Sequence, residues 1–353
     1  MSNPPGSKAT IPWIDLIRVS AIFLVVMIHV SGQLTNAWGT IPNDQWIIAD
    51  IYGGIARIAV PLFFMISGYL LLPRSESLSD FYLKRMPRIL IPFVVWSLIY
   101  LGWFCGNHPN TCTPSLAWNL LLVQGTYYHL WFLYSLVNIY LVLPLLRLMI
   151  RPDLDKKYLW YLVGLWLIFQ PVLALAHRFW NFSIKLSPPL TTGFVGYFFL
   201  GYLLGEVGLS RIRLIVCVVV WVISALITIV GTYIFTYQAG QFSGFFYDFV
   251  SLNVIFASGA VFLLMRWLSE AKVFTSATSQ ARMRTFAIGA FGIYLVHILV
   301  IEVLSGWIPS LHINSFMGNP VWTVPLVSIL VFALSFIVVR VLQRIPVLKY
   351  IVP

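Results

Sequence analysis

The feature that most constrains this chain is the recurrence of apolar runs about twenty residues long. Ten stand out, at 13–31, 53–72, 88–106, 129–150, 158–176, 190–209, 212–235, 249–268, 286–305 and 321–342. A run of that length matches a hydrocarbon core of about 30 Å. Lipid offers the backbone no outside hydrogen-bond partner, so such a run must be helical. A transmembrane barrel is excluded, because its strands read as alternating segments of about ten residues. Composition agrees: 60% of residues are hydrophobic and only 9% are charged, where a soluble chain carries roughly a quarter charged residues. The expected fold is therefore all-α: a polytopic membrane helix bundle of about ten transmembrane helices. Residues 1–353 read as a single membrane-embedded domain with no appended soluble domain. The first run lacks a small-residue cleavage site and is read as a retained span.

The net charge is +11, from 22 Lys and Arg against 11 Asp and Glu. In a soluble chain such an excess points to nucleic acid. In a membrane chain the placement of the basic residues decides, because cytoplasmic loops are enriched in them. Eighteen fall on one side of the ten-span scheme, from Lys8 through Arg74 and Lys84 to Lys272, Arg340, Arg344 and Lys349. Only Arg178 and Lys185 fall on the other side, and Arg18 and Arg57 lie within spans. This split puts both termini in the cytoplasm. It predicts a multi-pass protein of an inner (cytoplasmic) membrane, in contact with the lipid bilayer and not with nucleic acid.

Ionisable residues inside a bilayer are costly and usually functional or paired. The first span carries Asp15, Arg18 and His29. Asp15 and Arg18 are three apart and can meet on one helix face. Arg18 and His29 are eleven apart, three turns plus about 20°, so they also share a face. Arg18 sits near the cytoplasmic end, and His29 lies roughly 24 Å beyond Trp13, near the outer surface. A structural ion pair and a hydrogen-bonded core histidine form the bland alternative. Arg57 is expected near the outer end of the second span. Tyr294 and His297 share a face of the ninth, and Glu302 lies farther out at the depth of His29. A carboxylate there can orient an imidazole base; snorkelling to the interface or pairing with Arg57 is the alternative.

Together these residues form a recognisable pattern. WIDLIRVSAIFLVVMIHV at 13–30 carries an Arg, ten residues, then a His. RIAVPLFFMISGYLL follows from Arg57, then KRMPR at 84–88, HLWFL at 129–133 and GIYLVH at 292–297. In these motifs and their order the chain resembles the acyltransferase-3 family of integral membrane O-acyltransferases. The resemblance implies a ten-helix fold that takes an acyl group, most often acetyl, from cytoplasmic acyl-coenzyme A. The acceptor is a hydroxyl of a cell-surface polysaccharide or its lipid-linked oligosaccharide precursor. His29 and Arg18 then match the family's essential histidine and arginine, with Asp15 and Glu302 as their catalytic companions. Arg85 and Arg88 match its Arg-x-x-Arg pair, and Ser67 and Tyr69 belong to its Ser-Gly-Tyr segment. With Tyr294 and His297 these make the expected acetyl-coenzyme A site; no metal is implied. Arg suits the phosphates of coenzyme A, since its planar fork donates two parallel bonds. Arg57, His129 and Trp131 are the expected acceptor-binding residues, although a tryptophan at that level often belongs to the interfacial belt.

Cys105 and Cys112 flank a short loop, CGNHPNTC. On an oxidising side they can pair, but spacing does not fix the geometry a disulfide needs, so both states stay open. His108 between them lacks a visible fourth ligand for a metal. Cys217 reads as a packed membrane residue. Gly201 and Gly205 have the spacing of a close helix contact. The reading of a different class is a transporter or flippase of a lipid-linked glycan or small solute. Many transporters show internal repeats, and no second Arg–ten–His or FFMISGYL segment occurs in the later half.

Overall fold

A computed structural model describes residues 11–151, 153–186, 188–270, 276–308 and 312–353. Lys8 and Lys272, two of the basic residues used for orientation, lie outside the described residues. The apolar runs fold as α1 (Pro12–Thr35), α2 (Asn43–Leu71), α3 (Leu78–Asn107), α4 (Trp131–Arg147), α5 (Lys157–Trp180), α6 (Val195–Glu206), α7 (Arg211–Ala239), α8 (Phe245–Glu270), α9 (Thr278–Trp307) and α10 (Pro320–Arg344). No strand occurs among the described residues.

Eight of these helices are long and apolar enough to cross a membrane. Of the ten expected spans, the other two, α4 and α6, are shorter, at 17 and 12 residues. At 1.5 Å per residue, twelve residues rise only about 18 Å. The run at 190–209 starts in a turn, with Leu190 and Gly193 at φ 65° and 64°, so its helix begins only at Val195. Gly125, at φ 86°, likewise holds residues before Trp131 out of α4.

The helix faces are inverted relative to a soluble protein. On α7, Ser224, Thr228, Thr232 and Thr236 recur every four residues and point inward, while Ile215, Val219, Val222, Leu226 and Val230 are exposed. The Thr228 hydroxyl accepts from the Asn253 amide of α8 at 2.8 Å. In water that exposed stripe would be a large unfavourable patch; in lipid it is the solvated face. The molecule is a multi-pass membrane protein.

α1 forms the spine of the bundle. It packs against both halves of α2 and against α8, α9 and α10. α2 is interrupted at Arg57–Ile58. Pro61 explains the break, since it has no N–H to donate to the carbonyl four residues back, at Arg57, and its ring crowds that carbonyl.

The second half of α2 is locked to α6 through glycine. A Cβ added at Gly68 would lie 2.1 Å from the Phe198 carbonyl oxygen, and one at Gly201 would lie 2.1 Å from the Met65 oxygen. Gly205 receives the Tyr69 ring. This is the close contact expected from the Gly201/Gly205 spacing, and small residues are what permit two backbones to approach in a membrane. Replacing Gly68 or Gly201 by Ala therefore forces α2 and α6 apart, at a cost of about 1–3 kcal/mol as for other overpacked sites. Gly102→Ala, which meets nothing within 4 Å, leaves stability unchanged. Thermal unfolding of the detergent-solubilised variants separates the two cases.

Candidate active site

Two cavities lie one after the other along α1. The first, of about 340 Å³, is lined by Arg18 of α1, Ser67 of α2, Arg88 of α3 and Tyr140 of α4. The second, of about 430 Å³, is lined by His29, Gln33 and Asn36 of α1, Arg57 of α2, and Tyr128, His129 and Trp131. Val25, Val60, Phe132 and Tyr294 line both, so they form the wall between them. The eleven-residue spacing thus puts Arg18 and His29 on one face, in adjoining chambers. Arg18 also pairs with Asp15, with Nη1 3.5 Å from Oδ1.

Three imidazoles gather at the second cavity. The His29 ring centroid lies 5.1 Å from that of His297 and 6.4 Å from that of His129, and those two are 5.4 Å apart. The Tyr128 ring is 5.4 Å from His29. His297 is fully buried, and its Nδ1 lies 2.7 Å from the Tyr294 carbonyl oxygen and 3.2 Å from that of Ile293. Two carbonyl oxygens require a donor, so the neutral ring is assigned its proton on Nδ1. Its Nε2 is then an acceptor, and among the described residues it has no partner. Both ring nitrogens of His129 are likewise buried and unpartnered among those residues. The Tyr294 hydroxyl donates to the His129 carbonyl at 2.7 Å, tying α9 to the turn that precedes α4.

Other expected site residues make contacts away from the histidines. Glu302 accepts from the Trp103 indole and the Tyr127 hydroxyl; among the described residues neither His29 nor Arg57 bonds to it. The reason is angular: Glu302 is five residues past His297, so it points about 140° round the helix from that face. Arg85 and Arg88 part company. Arg88 lines the first cavity, while Arg85 Nε bonds Glu76 Oε2 at 2.6 Å. Arg147 of α4 holds the other oxygen of Glu76 at 2.7 Å. Ser67 lines the first cavity with its hydroxyl turned to the Phe63 carbonyl at 2.7 Å. Tyr69 faces away, its ring centroid 4.9 Å from that of Trp13 and its edge against Gly205.

Trp131 lines the second cavity and packs between Phe194 and Phe249, with both centroids at 5.4 Å, so it faces inward rather than to lipid. Trp38 and Trp46 pack on each other at 4.7 Å, and the Trp46 indole donates to the Thr35 carbonyl at 2.9 Å. Gln33 and Asn36 were missed, although they sit four and seven residues beyond His29 and so share its face. Tyr140 carried no local signal, because its place depends on how α4 packs. Cys105 and Cys112 are joined as a disulfide, and Cys217 is buried. His108 packs on Phe104.

A polytopic helical bundle with a guanidinium-lined and an imidazole-lined chamber on one helix defines a membrane-embedded site with two compartments. The chain matches the family model of the acyltransferase domain, acyltransferase-3, over residues 11–340, and it belongs to that family. Curated relatives include an amino-acid racemase of Enterococcus faecalis, 34% identical over 146 residues, or 38% of this chain and 19% of that protein. A serine/alanine racemase of Enterococcus gallinarum is 30% identical over 164 residues, or 44% of this chain and 22% of that protein. The matched part is thus about a fifth of the length of these relatives. No solved structure matches.

Glu76 lies in the loop between α2 and α3. Its partial burial favours the protonated form, but the bonds from Arg85 and Arg147 outweigh this and hold its carboxyl below the ordinary value of 4.5. A depressed folded-state value contributes stability that is present above the unfolded value and is lost as pH falls through the folded one. The clamp joining the α2–α3 loop to α4 therefore weakens below about pH 4.5, reading the ordinary value as the unfolded one. Glu76→Gln removes this acid-side loss and lowers stability at neutral pH. Melting temperatures of the two proteins between pH 3 and 7 check it.

Proposed function

We propose that this chain is an integral membrane O-acyltransferase. It moves an acyl group, acetyl in the simplest case, from cytoplasmic acyl-coenzyme A to a hydroxyl of an extracytoplasmic polysaccharide or its lipid-linked precursor. The membrane is the bacterial inner membrane. The observation that carries this reading is the pair of adjoining cavities along α1, cationic in the first and imidazole-lined in the second. It stands beside the membership in the acyltransferase family.

The donor enters the Arg18 chamber. Arg18 and Arg88 contact its phosphates, and they replace the Arg85/Arg88 pair as the cationic receptor because Arg85 is committed to Glu76. The apolar wall of Val25, Val60 and Phe132 suits the thin pantetheine arm, which carries the thioester through to His29. The acceptor hydroxyl enters the second chamber. His29, in its neutral form, takes the hydroxyl proton as the oxygen attacks the thioester carbonyl carbon. The C–S bond then breaks, the new C–O ester bond remains, and the thiolate leaves and recovers the proton from His29. General base catalysis of this kind contributes roughly 10²- to 10⁴-fold. His297, with its Nδ1 proton fixed on the backbone, packs beside His29 and sets the position of its ring.

The test is transfer from radiolabelled acetyl-coenzyme A to cell-surface glycan by the protein in lipid vesicles. Wild type labels glycan; His29→Ala, folded as judged by melting, loses about 10²-fold or more. Labelling that survives in His29→Ala removes it as the base. Failure of wild type both to label glycan and to bind acyl-coenzyme A returns the chain to the transporter reading. The two arginines separate in a second measurement. Arg88→Gln raises KM for acetyl-coenzyme A by about tenfold, the scale of one charge-assisted bond. Arg85→Gln instead lowers the melting temperature with little change in that KM.

A further inference from the structure

Arg57 is the unexplained charge of the second cavity. It stands where Pro61 breaks α2, and the break turns it toward the chamber it lines. Its guanidinium carbon lies 4.0 Å from the Tyr247 ring centroid and 5.3 Å from that of Phe249. Rings on the faces of a guanidinium hold it in place while leaving its in-plane N–H groups free to donate. Among the described residues no carboxylate lies within ion-pair distance of it, and its Nε is buried without a partner.

The acid on the same helix, Asp50, does not reach Arg57: one of its oxygens is bonded to Tyr247 and the other has no partner among the described residues. Asp50, seven residues earlier on α2, is fully buried, and its Oδ1 accepts from the Tyr247 hydroxyl at 2.6 Å. Tyr247 thus serves Asp50 with its hydroxyl and Arg57 with its ring face. No Asp or Glu lines the second cavity among the described residues. Asp50 and Asp248 act on Arg57 through charge at a distance, without an ion-pair contact, so its donor groups at the cavity are left for an oxyanion that arrives with a ligand.

We propose that Arg57 forms an anion subsite for the acceptor, so that the preferred acceptor carries an oxyanion, a carboxylate or a phosphate, near the hydroxyl presented to His29. This rests on the acyltransferase reading for the identity of the ligand as acceptor. The carboxylate of a uronic acid and the pyrophosphate of a lipid-linked sugar share the chemistry that a planar guanidinium fork recognises. The planar fork accepts two oxygens side by side, so the subsite also fixes which hydroxyl faces the base.

The test uses the full chain in lipid vesicles and three probes: a trisaccharide bearing one uronic acid, its carboxyl-reduced neutral counterpart, and the neutral trisaccharide linked to polyprenyl pyrophosphate. Equilibrium binding is measured without acyl donor, and transfer is measured with radiolabelled acetyl-coenzyme A. Wild type is expected to bind one of the two anionic probes about tenfold or more tightly than the neutral one, and which one it prefers identifies the source of the charge. Arg57→Gln brings that probe down to the neutral level in binding and raises its KM by about tenfold to a hundredfold. Arg57→Lys, which keeps the charge without the fork, restores part of the preference and guards against a folding defect. Equal binding of all three probes by wild type overturns the subsite. So does an Arg57→Gln variant that slows transfer to the neutral probe as much as to the anionic ones, since that places Arg57 on the reacting carbonyl. Binding that discriminates, with no transfer to any probe, leaves the subsite standing and overturns the acyltransferase reading instead.

Discussion

Everything in this structure follows from the lack of hydrogen-bond partners in lipid. Each polar group inside the bundle must find a partner in the chain or face a cavity. The threonine stripe of α7 points inward for this reason, and its exposed face is Ile, Val and Leu. The same rule makes the unpartnered groups informative. His129, the Nε2 of His297 and the Nε of Arg57 are buried and unsatisfied, and all three belong to residues at or beside one chamber. Single hydroxyls such as Thr232 and Ser335 are also left without a partner elsewhere in the bundle, among the described residues, but around this chamber the unsatisfied groups are two imidazoles and a guanidinium, gathered where chemistry is proposed.

The site depends on α1 and on two devices that set what faces it. The first is the glycine lock between α2 and α6. By letting the backbone at Gly68 meet Phe198 and that at Gly201 meet Met65, it draws the Ser-Gly-Tyr segment close to α6 and leaves Ser67 on the cavity side with Tyr69 on the other. The second is the break in α2 at Arg57, which lets one helix serve two surfaces. Neither device is catalytic. Each decides which side chains of a conspicuous motif are free to act and which are spent on packing.

The class of fold was legible because a twenty-residue apolar run has one solution in lipid. The count was less legible: a hydropathy pattern cannot see a positive-φ residue such as Leu190 or Gly193, and α6 loses its first turn there. Within the site, what lies on a single helix was readable. Arg18 and His29 share a face because 3.6-residue periodicity says so, and the same arithmetic could have added Gln33 and Asn36. What depends on two helices was not. Depth alone suggested that Glu302 faces His29, but its azimuth carries it to Trp103 and Tyr127. Arg85 and Arg88 look equivalent three residues apart, yet only the fold reveals that Glu76, which Arg147 also holds, claims the first of them. Lone charges are legible in a sequence; their partners come from packing.

The wall shared by the two chambers is the part of the site that the proposed chemistry makes most demanding. A thioester exposed to water can be lost to hydrolysis, so a transferase that joins two aqueous sides must pass the acyl group without opening a wet path. Val25, Val60 and Phe132 supply apolar surface at that level. Tyr294 completes it and fastens the wall to the His129 turn through its hydroxyl. That bond ties the wall to the imidazole chamber: any displacement of Tyr294 pulls on the backbone of His129, and His129 packs against both Tyr294 and His297. Movement of the wall in the first chamber and arrangement of the imidazoles in the second are thus linked through a single hydroxyl, with no carboxylate as intermediary. The position of Glu302, away from the histidines, then ceases to be a defect in the site. Its carboxylate holds α3 and the Tyr127 end of the turn to α9, and so fixes the frame in which His129 and Tyr294 meet.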